Sequence, residues 1–584
     1  MSSRFISHFI SRGLSRLLGF RPSLGLAIIL FLGLALRLWH LDSKPLWLDE
    51  VLTALFTMGR SYQDVPLDQF FPLSALDRVF TVQPGLSCPE ITHRLATESV
   101  HPPLFFCLVY GWLDWLQPEN WVWGIRMLPV LFGVAGVAAI YRLNRIAFSR
   151  RSGLAAAGLM AVSPFAVYLS QEARHYTLPM LLITLSLTAL VQMQQDILHQ
   201  KPRVAIWLSW IVLNLIGLYT HYFCLLAWIA QVAALSGWMV RQVQSLRLRD
   251  GLTWLAANFG VAIGYLPWLP TLMNHFSRPE TDWLIPYKPD WLDRVEPLYR
   301  TLVGWTLMVI ALPVEEQPEP LVIGLGVLML GFMIWLGWQL ARGWRDRWQQ
   351  ADSRSGLVLI ASFTGWIVLQ FFAIIYLLDK DLTVVPRYHF IYYPAVCALL
   401  GACLVPVQPS SGAPIQKLVR SPLTWVLLAG VISSFCVVNG LVFQKSYFPD
   451  RVAAQLAFDS SQPLAVVMTY RSPQEVALGL SFALELQKYE ERAIRFAFLD
   501  RSSGYQQAWD ALKQIPQPLM PPLNLWIFAS PGMRTKDYPQ RLTLLAPPTE
   551  ETRPRMRCLV DPDRFDRVGF PYQLFRCQPI KRQN

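Results

Sequence analysis

Stretches of about 20 residues with almost no charge recur along this chain, and as helices they are long enough to cross the hydrocarbon core of a bilayer. Eleven such runs lie at roughly 21–40, 122–143, 152–170, 177–198, 204–221, 222–240, 251–271, 320–341, 355–378, 389–408 and 421–443. Inside lipid a backbone must satisfy its own polar groups, so only helices or a closed barrel can cross, and runs of this length select helices. Hydrophobic residues fill 53% of the 584 positions and charged residues only 15%, with a mean hydropathy of +0.33, which excludes an ordinary soluble domain. The expectation is a polytopic α-helical membrane protein with about 11 transmembrane helices.

Lys and Arg near span ends are retained on the cytoplasmic side. Alternate connections carry them: Arg4, Arg12 and Arg16; Arg142, Arg145, Arg150 and Arg151; Lys201 and Arg203; Arg241, Arg247 and Arg249; Arg342, Arg345, Arg347 and Arg354; Lys417 and Arg420. This places the N-terminus in the cytoplasm and, with an odd number of crossings, the C-terminus outside a cell membrane, plasma or inner. Much of the net charge of +12 sits in these loops, where topology and anionic headgroups explain it, so nucleic acid is not an expected partner. No small-residue cleavage site follows the first run, which therefore reads as a retained anchor rather than a signal peptide.

Three segments too polar or too long to be spans then fall outside: about 41–121, 272–319 and 445 to the end. The first holds short amphipathic stretches, 51–58 and 104–115, expected to lie at the interface. The second holds an apolar run of intermediate length, 301–313, which suits a re-entrant or interfacial helix. In the third, 464–469 and 523–528 read as buried strands and 474–487 and 506–515 as helices. The chain thus divides into a membrane domain, 1–444, which includes the first external loop, and a small extracytoplasmic α/β domain, 445–584.

Of eight cysteines, Cys107, Cys224, Cys397, Cys403 and Cys436 lie in apolar runs, where a thiol behaves as a small hydrophobe. Cys558 and Cys577 flank an expected hairpin, and an oxidising compartment would allow them to pair. Cys88 has no assigned role. No spacing typical of a metal site occurs.

Chemistry has to come from polar groups at the outer ends of the spans, and four constellations qualify. Asp49 and Glu50 follow Trp47 just beyond the first run; as a bland alternative, acidic residues suit the first turn of a helix. His101-Pro102-Pro103-Leu104 holds a histidine in a turn that two prolines stiffen. Glu172, Arg174, His175 and Tyr176 crowd a tight connection after Ser170 and Gln171, where a simple Glu172–Arg174 pair is the structural alternative. Tyr219-Thr220-His221-Tyr222 and Pro386-Arg387-Tyr388-His389 mark two further boundaries, where aromatic residues alone would be an interfacial belt. All map to one face. A carboxylate pair, cations and tyrosines at membrane level suit chemistry on an anionic, lipid-linked substrate, because arginine grips phosphate through a bidentate fork.

In order and placement these residues resemble the GT-C glycosyltransferases, specifically the glycosyltransferase family 39 group of protein O-mannosyltransferases, aminoarabinose transferases of lipid A, and Rgt-like transferases. The matching segments are LWLDE at 46–50, HPPL at 101–104, EARHY at 172–176, YTHYF at 219–223 and PRY at 386–388. They cover roughly residues 20–445, and nothing in the C-terminal domain matches. The resemblance implies an inverting transfer of a sugar from a polyprenyl-phosphate donor to a hydroxyl acceptor, whether protein, lipid or cell-surface glycan, on the extracytoplasmic face. It implies Asp49 as general base supported by Glu50. His101, Glu172, Arg174, Tyr176, His221, Arg387 and Tyr388 would contact the donor and its phosphate. The aminoarabinose transferases carry Lys just before the Pro-Pro pair where this chain has His101, which argues against assuming their reaction. No cofactor is required; a divalent metal is permitted, with Asp49, Glu50, His101 and His221 as available ligands, but their spacing specifies no geometry. The rival reading is a transporter or flippase that moves a lipid-linked sugar without cleaving it. Such proteins usually show internal repeats and midplane ionisable groups, and neither is evident here.

Overall fold

The computed structural model describes residues 22–245, 247–278, 284–285, 290–407, 421–445, 447–459, 461–489, 493–515, 519–547 and 555–580. The basic residues Arg4, Arg12, Arg16, Lys417 and Arg420 lie outside the described residues. The chain forms two compact units, one of Met1–Leu41, Leu95–Leu108 and Trp123–Phe443, the other of Asp42–Arg94, Val109–Val122 and Gln444–Asn584.

The first unit is helical, and every expected run contains a helix. Among the described residues, six helices are long and apolar enough to cross a membrane: Trp121–Ala147, Thr177–Leu198, Phe223–Arg241, Leu248–Phe276, Glu319–Trp348 and Ala351–Leu377. A seventh crossing results if Arg150–Val162 and Pro164–Ser170, bent by 59° at Ser163, are one span. The remaining runs form the shorter helices Pro22–Leu38, Val204–Leu218, Tyr393–Cys403 and Pro422–Val438. Thr177–Leu198 is central, with 83% of its apolar window buried, whereas Glu319–Trp348 buries only 6% and presents Ile323, Val327, Leu330 and Ile334 outward, as a lipid-facing helix does.

The bend at Ser163 has a local cause. Pro164 lacks an N–H, so the helix cannot continue its ladder and the carbonyl of Met160 loses its donor. The Ser163 hydroxyl accepts from Ala166 N–H at 3.3 Å and restarts the helix. The fully buried Arg37 guanidinium supplies the missing donors, giving hydrogen bonds of 3.0 Å to the Met160 carbonyl, 2.9 Å to the Ala161 carbonyl and 3.0 Å to Ser170 Oγ. Gln171 closes the other end of the same joint: its amide donates to the Arg37 and Trp39 carbonyls at 3.2 and 2.7 Å, satisfying the end of Pro22–Leu38, whose last carbonyls have no helical partner.

Two details differ from expectation. Only the first half of the apolar run at 301–313 is helical, as the end of a longer helix, Trp291–Leu307, begun by a capping box at Asp290 and Asp293; residues 308–318 lie outside helix. Cys107 is disulfide-bonded, not a free thiol, while Cys224, Cys397 and Cys403 are free and buried as expected.

The second unit contains a seven-stranded sheet of β1 (Phe70–Pro72), β2 (Leu464–Tyr470), β3 (Ile494–Asp500), β4 (Leu523–Phe528), β5 (Arg541–Leu545), β6 (Arg555–Val568) and β7 (Phe570–Pro579), in the order β1-β3-β2-β4-β7-β6-β5. The parallel strands β3, β2 and β4 are joined by the helices Pro473–Leu486 and Tyr505–Gln514, and their near-continuous burial marks a sheet covered on both faces. β1 comes from the first external segment and pairs antiparallel with β3, Phe70 opposite Ala497, so that segment completes the sheet edge. Gly569, at φ +77°, turns β6 into β7, and the hairpin register sets Cys558 opposite Cys577, which are bonded as a disulfide.

Candidate active site

The acidic pair opens the helix Leu48–Thr57 in the second unit, after the extended Trp47. In a first turn the unpaired N–H groups and the helix dipole favour negative charge, so two successive carboxylates are tolerated there. They face differently: Glu50 is 1% exposed, whereas Asp49 keeps partial solvent access. The Thr53 hydroxyl donates to the Asp49 carbonyl at 3.0 Å, the Lys445 ammonium stands 4.3 Å from the centre of the Trp47 ring, and Ser481 Oγ donates to the Leu46 carbonyl. The segment is therefore held from both sides by side chains of its own unit. Burial, assisted by the Asp49 carboxylate, raises the pKa of the Tyr447 phenol.

In the first unit, four separate stretches of sequence converge. The Leu104 N–H donates to the Tyr219 carbonyl at 3.1 Å, fastening the His-Pro-Pro turn to the connection that carries His221. Arg174 Nη2 lies 3.3 Å from His101 Nε2, and the other ring nitrogen, Nδ1, is 2.9 Å from Ser99 Oγ. An arginine cannot accept, so Nε2 does, which fixes the neutral tautomer with the proton on Nδ1. Burial, then the Arg174 cation, hold the pKa of His101 below the usual histidine range.

Arg387 Nε donates to the Tyr176 hydroxyl at 3.0 Å, and the Arg174 guanidinium stands 5.8 Å from the centre of the Tyr176 ring, within cation–π range. One buried tyrosine thus carries a cation at its hydroxyl and another at its face. The rings of His101, His175 and His221 form a row, with centroids 5.2 and 4.6 Å apart. Phe223 N–H donates to His221 Nδ1 at 3.0 Å, so the His221 proton sits on Nε2. Glu172 is buried at the start of this turn, where its carbonyl accepts from Arg174 N–H at 2.7 Å. Tyr388 is more peripheral, its ring 4.9 Å from that of Phe223.

Of the expected donor-contacting residues, His101, Arg174, Tyr176, His221 and Arg387 are brought together directly and Glu172 shares their turn. Asp49 and Glu50 belong to the other unit. Sequence reasoning named His175 and Gln171 within their constellation without giving either a role, and it missed Arg37 and Phe390. His175 is the middle ring of the row, and its place within the EARHY segment was the available signal. Arg37 and Gln171 set the turn from below, and nothing in their sequence surroundings marks that role. Phe390 packs on both Tyr176 and His221. Next to it, Trp305 Nε1 donates to Tyr392 Oη at 2.9 Å, and that hydroxyl lies 2.6 Å from His389 Nδ1. The His389 ring lies so close over Gly304 that any Cβ there would strike it.

As for a metal, no group of three or more His, Cys, Asp or Glu side chains suited to hold one occurs among the described residues. The three histidine rings meet at interplanar angles of 68° and 50°, and Arg174 and Arg387 stand among them, which is a poor ligand set for a cation.

Residues 100–270, which hold three of the four converging stretches, match the family described as dolichyl-phosphate-mannose-protein mannosyltransferase. No curated protein matches the chain by sequence. Among solved structures, the chain is similar to ArnT from Cupriavidus metallidurans in the apo state, at 11% identity and a TM-score of 0.48, covering 86% of this chain and 92% of that one. The same protein bound to undecaprenyl phosphate gives 12% identity and a TM-score of 0.46, with 86% and 93% covered. The oligosaccharyltransferase AglB from Archaeoglobus fulgidus, in complex with an inhibitory peptide and a dolichol-phosphate, gives 12% identity and a TM-score of 0.42, with 81% and 64% covered.

Proposed function

We propose that this protein is an inverting glycosyltransferase that moves a sugar from a polyprenyl-phosphate donor to a hydroxyl acceptor on the extracytoplasmic side of a cell membrane, through about 11 helices that span it. The observation that carries the reading is the pairing of Arg174 and Arg387 on opposite parts of buried Tyr176, beside histidines held neutral. A cluster that concentrates cationic and N–H donors and keeps its histidines uncharged is suited to a phosphate, which brings its own charge. The family match over residues 100–270, whose donor is a dolichyl phosphate sugar by its description, supports the same class of substrate. The Cys558–Cys577 disulfide suits an oxidising, extracytoplasmic compartment.

In this reading the acceptor oxygen attacks the anomeric carbon while Asp49 takes its proton, a role worth about 10²- to 10⁴-fold in rate. Glu50, buried behind it in the same turn, orients that carboxylate. The bond from carbon to phosphate oxygen breaks as the new one forms, and the phosphate gains charge. Arg174 and Arg387 then bind it more tightly than they bound the donor, which is the condition for catalysis. His101, Tyr176, His221 and Tyr388 contact the sugar and phosphate, and Glu172 steadies Arg174 within its turn. No nucleotide-sugar site is needed, because the lipid phosphate already activates the sugar.

Purified protein with polyprenyl-phosphate sugar and acceptor tests the assignment of the base. Asp49→Asn is expected to lose turnover at least about 100-fold while binding polyprenyl phosphate normally. Normal turnover in that variant removes Asp49 as the base.

A further inference from the structure

Of the other imidazoles near the arginines, those of His101 and His275 have both ring nitrogens bonded within the protein, and that of His221 has one. His101 is bonded at both nitrogens, His221 accepts at Nδ1, and His275 has Tyr222 Oη 2.6 Å from Nδ1 and the Ala96 carbonyl 3.2 Å from Nε2. His175 is different. It is 2% exposed, and its Nδ1 is buried with no hydrogen-bond partner among the described residues. An unsatisfied buried polar atom costs about 1–3 kcal/mol, so its persistence calls for an explanation. His389 also keeps a buried Nε2 without a partner, but that atom faces the backbone of Gly304 rather than a cation.

The surroundings of His175 indicate what would satisfy it. Its ring centroid lies 5.2 Å from that of His101, 4.6 Å from His221, 4.9 Å from Tyr176 and 5.8 Å from Phe105. The backbone places it between Arg174 and Tyr176, the residue to which Arg387 is tied. The fixed cations acting on it are Arg174 and Arg387, so with the proton on Nδ1 its partner is an acceptor that tolerates such company, and an anionic oxygen meets that requirement. Burial, followed by His221, Arg174, His101 and Arg387, keeps the imidazole neutral and therefore a donor through one nitrogen.

We propose that His175 is a further substrate-contacting residue, whose imidazole N–H donates to the phosphate oxygen that takes up charge as the sugar departs. This rests on the lipid-phosphate reading above. In the displacement, the acceptor oxygen forms a bond to the anomeric carbon and its proton passes to Asp49. The bond between that carbon and the phosphate oxygen breaks, its electron pair staying on oxygen, so a phosphodiester monoanion becomes a monoester dianion. The hydrogen bond from His175 strengthens over that change, because the acceptor becomes more negative. Its effect therefore falls on kcat rather than on ground-state affinity.

His175→Phe keeps an aromatic ring in the row and removes both nitrogens. It is expected to lower kcat about 100-fold, with the KM for polyprenyl-phosphate sugar and the Kd for polyprenyl phosphate changed less than about threefold. His175→Asn, which returns an N–H near Nδ1, recovers part of that loss. If both variants fail to fold, the wild type labelled with ¹⁵N-histidine decides: adding polyprenyl phosphate moves one buried imidazole nitrogen that adding uncharged polyprenol does not. Wild-type transfer with an unaltered kcat in His175→Phe overturns the role of His175 and leaves the transferase reading standing, as does polyprenyl phosphate binding that moves no imidazole nitrogen. A wild type that neither binds polyprenyl phosphate nor transfers sugar overturns both.

Discussion

Arg387→Ala probes the phosphate grip most cleanly, because the structure allows its two contributions to be separated. Arg387 lies between the helices Ala351–Leu377 and Tyr393–Cys403, and its Nε donates to Tyr176 Oη at 3.0 Å, which fixes where the rest of the guanidinium points. A hydrogen bond to a charged group contributes about 1.5–3 kcal/mol, so losing one such bond to phosphate weakens polyprenyl phosphate binding about 10- to 150-fold. The tether is a smaller matter. Tyr176→Phe keeps the ring and the cation–π contact with Arg174 and removes only the hydroxyl, for about 0.5–1.5 kcal/mol, or about two- to twelvefold in Kd. Since the tether acts through Arg387, the double variant is expected to bind no worse than Arg387→Ala alone. The assay is titration of polyprenyl phosphate into protein in nanodiscs, at two salt concentrations. A Kd for Arg387→Ala within twofold of the wild type would refute the phosphate role, and additive losses in the double variant would refute the tether.

Other outcomes follow from the same geometry. His101 and His175 have folded-state pKa values below the ordinary 6.5, so the unfolded chain binds more protons than the folded one as pH falls beneath that value. Their contribution to stability is whole above pH 6.5 and is lost on acidification at up to about 1.4 kcal/mol per pH unit for each group; thermal melts from pH 7.5 to 5 are expected to show a shallower decline in His175→Phe. Gly304→Ala drives a methyl group into the His389 ring and is expected to cost about 1–3 kcal/mol, read as a lower Tm, with Gly304→Ala/His389→Ala recovering part of it. Reducing or replacing the Cys558–Cys577 bond, which closes a loop of sequence separation 19, is expected to destabilise the α/β domain by about 2–4 kcal/mol in denaturant titrations.

The helices were legible in the sequence because a lipid solvent demands long uninterrupted apolar runs, and the expected run at 177–198 coincides with the helix Thr177–Leu198. Helix ends were harder to read. Tyr393–Cys403 begins four residues inside the expected run at 389, because Pro386-Arg387-Tyr388 starts a short 3₁₀ turn that continues to Ile391. In the C-terminal domain the all-apolar strands β2 and β4 were visible, and the edge strand Phe70–Pro72 was not, because three residues carry no periodicity and their pairing with β3 is a long-range event. At the site, residue types that stand out in an apolar chain, such as Arg174, Arg387 and the histidines, were found individually. Supporting residues were not: Arg37 reads as one more charge near a span end, and only the loss of the Pro164 N–H, far along the chain, creates the carbonyls it satisfies.

The central claim is that a sugar is cleaved from a lipid phosphate and not merely carried across the membrane. Purified protein in nanodiscs, where both leaflets are accessible and translocation has no readout, should be given polyprenyl-phosphate sugar with a hydroxyl acceptor, and the lipid products followed by mass spectrometry. The account predicts free polyprenyl phosphate appearing in step with glycosylated acceptor of inverted anomeric configuration. Intact donor throughout, combined with donor movement between leaflets when the same protein is placed in sealed vesicles, would contradict it.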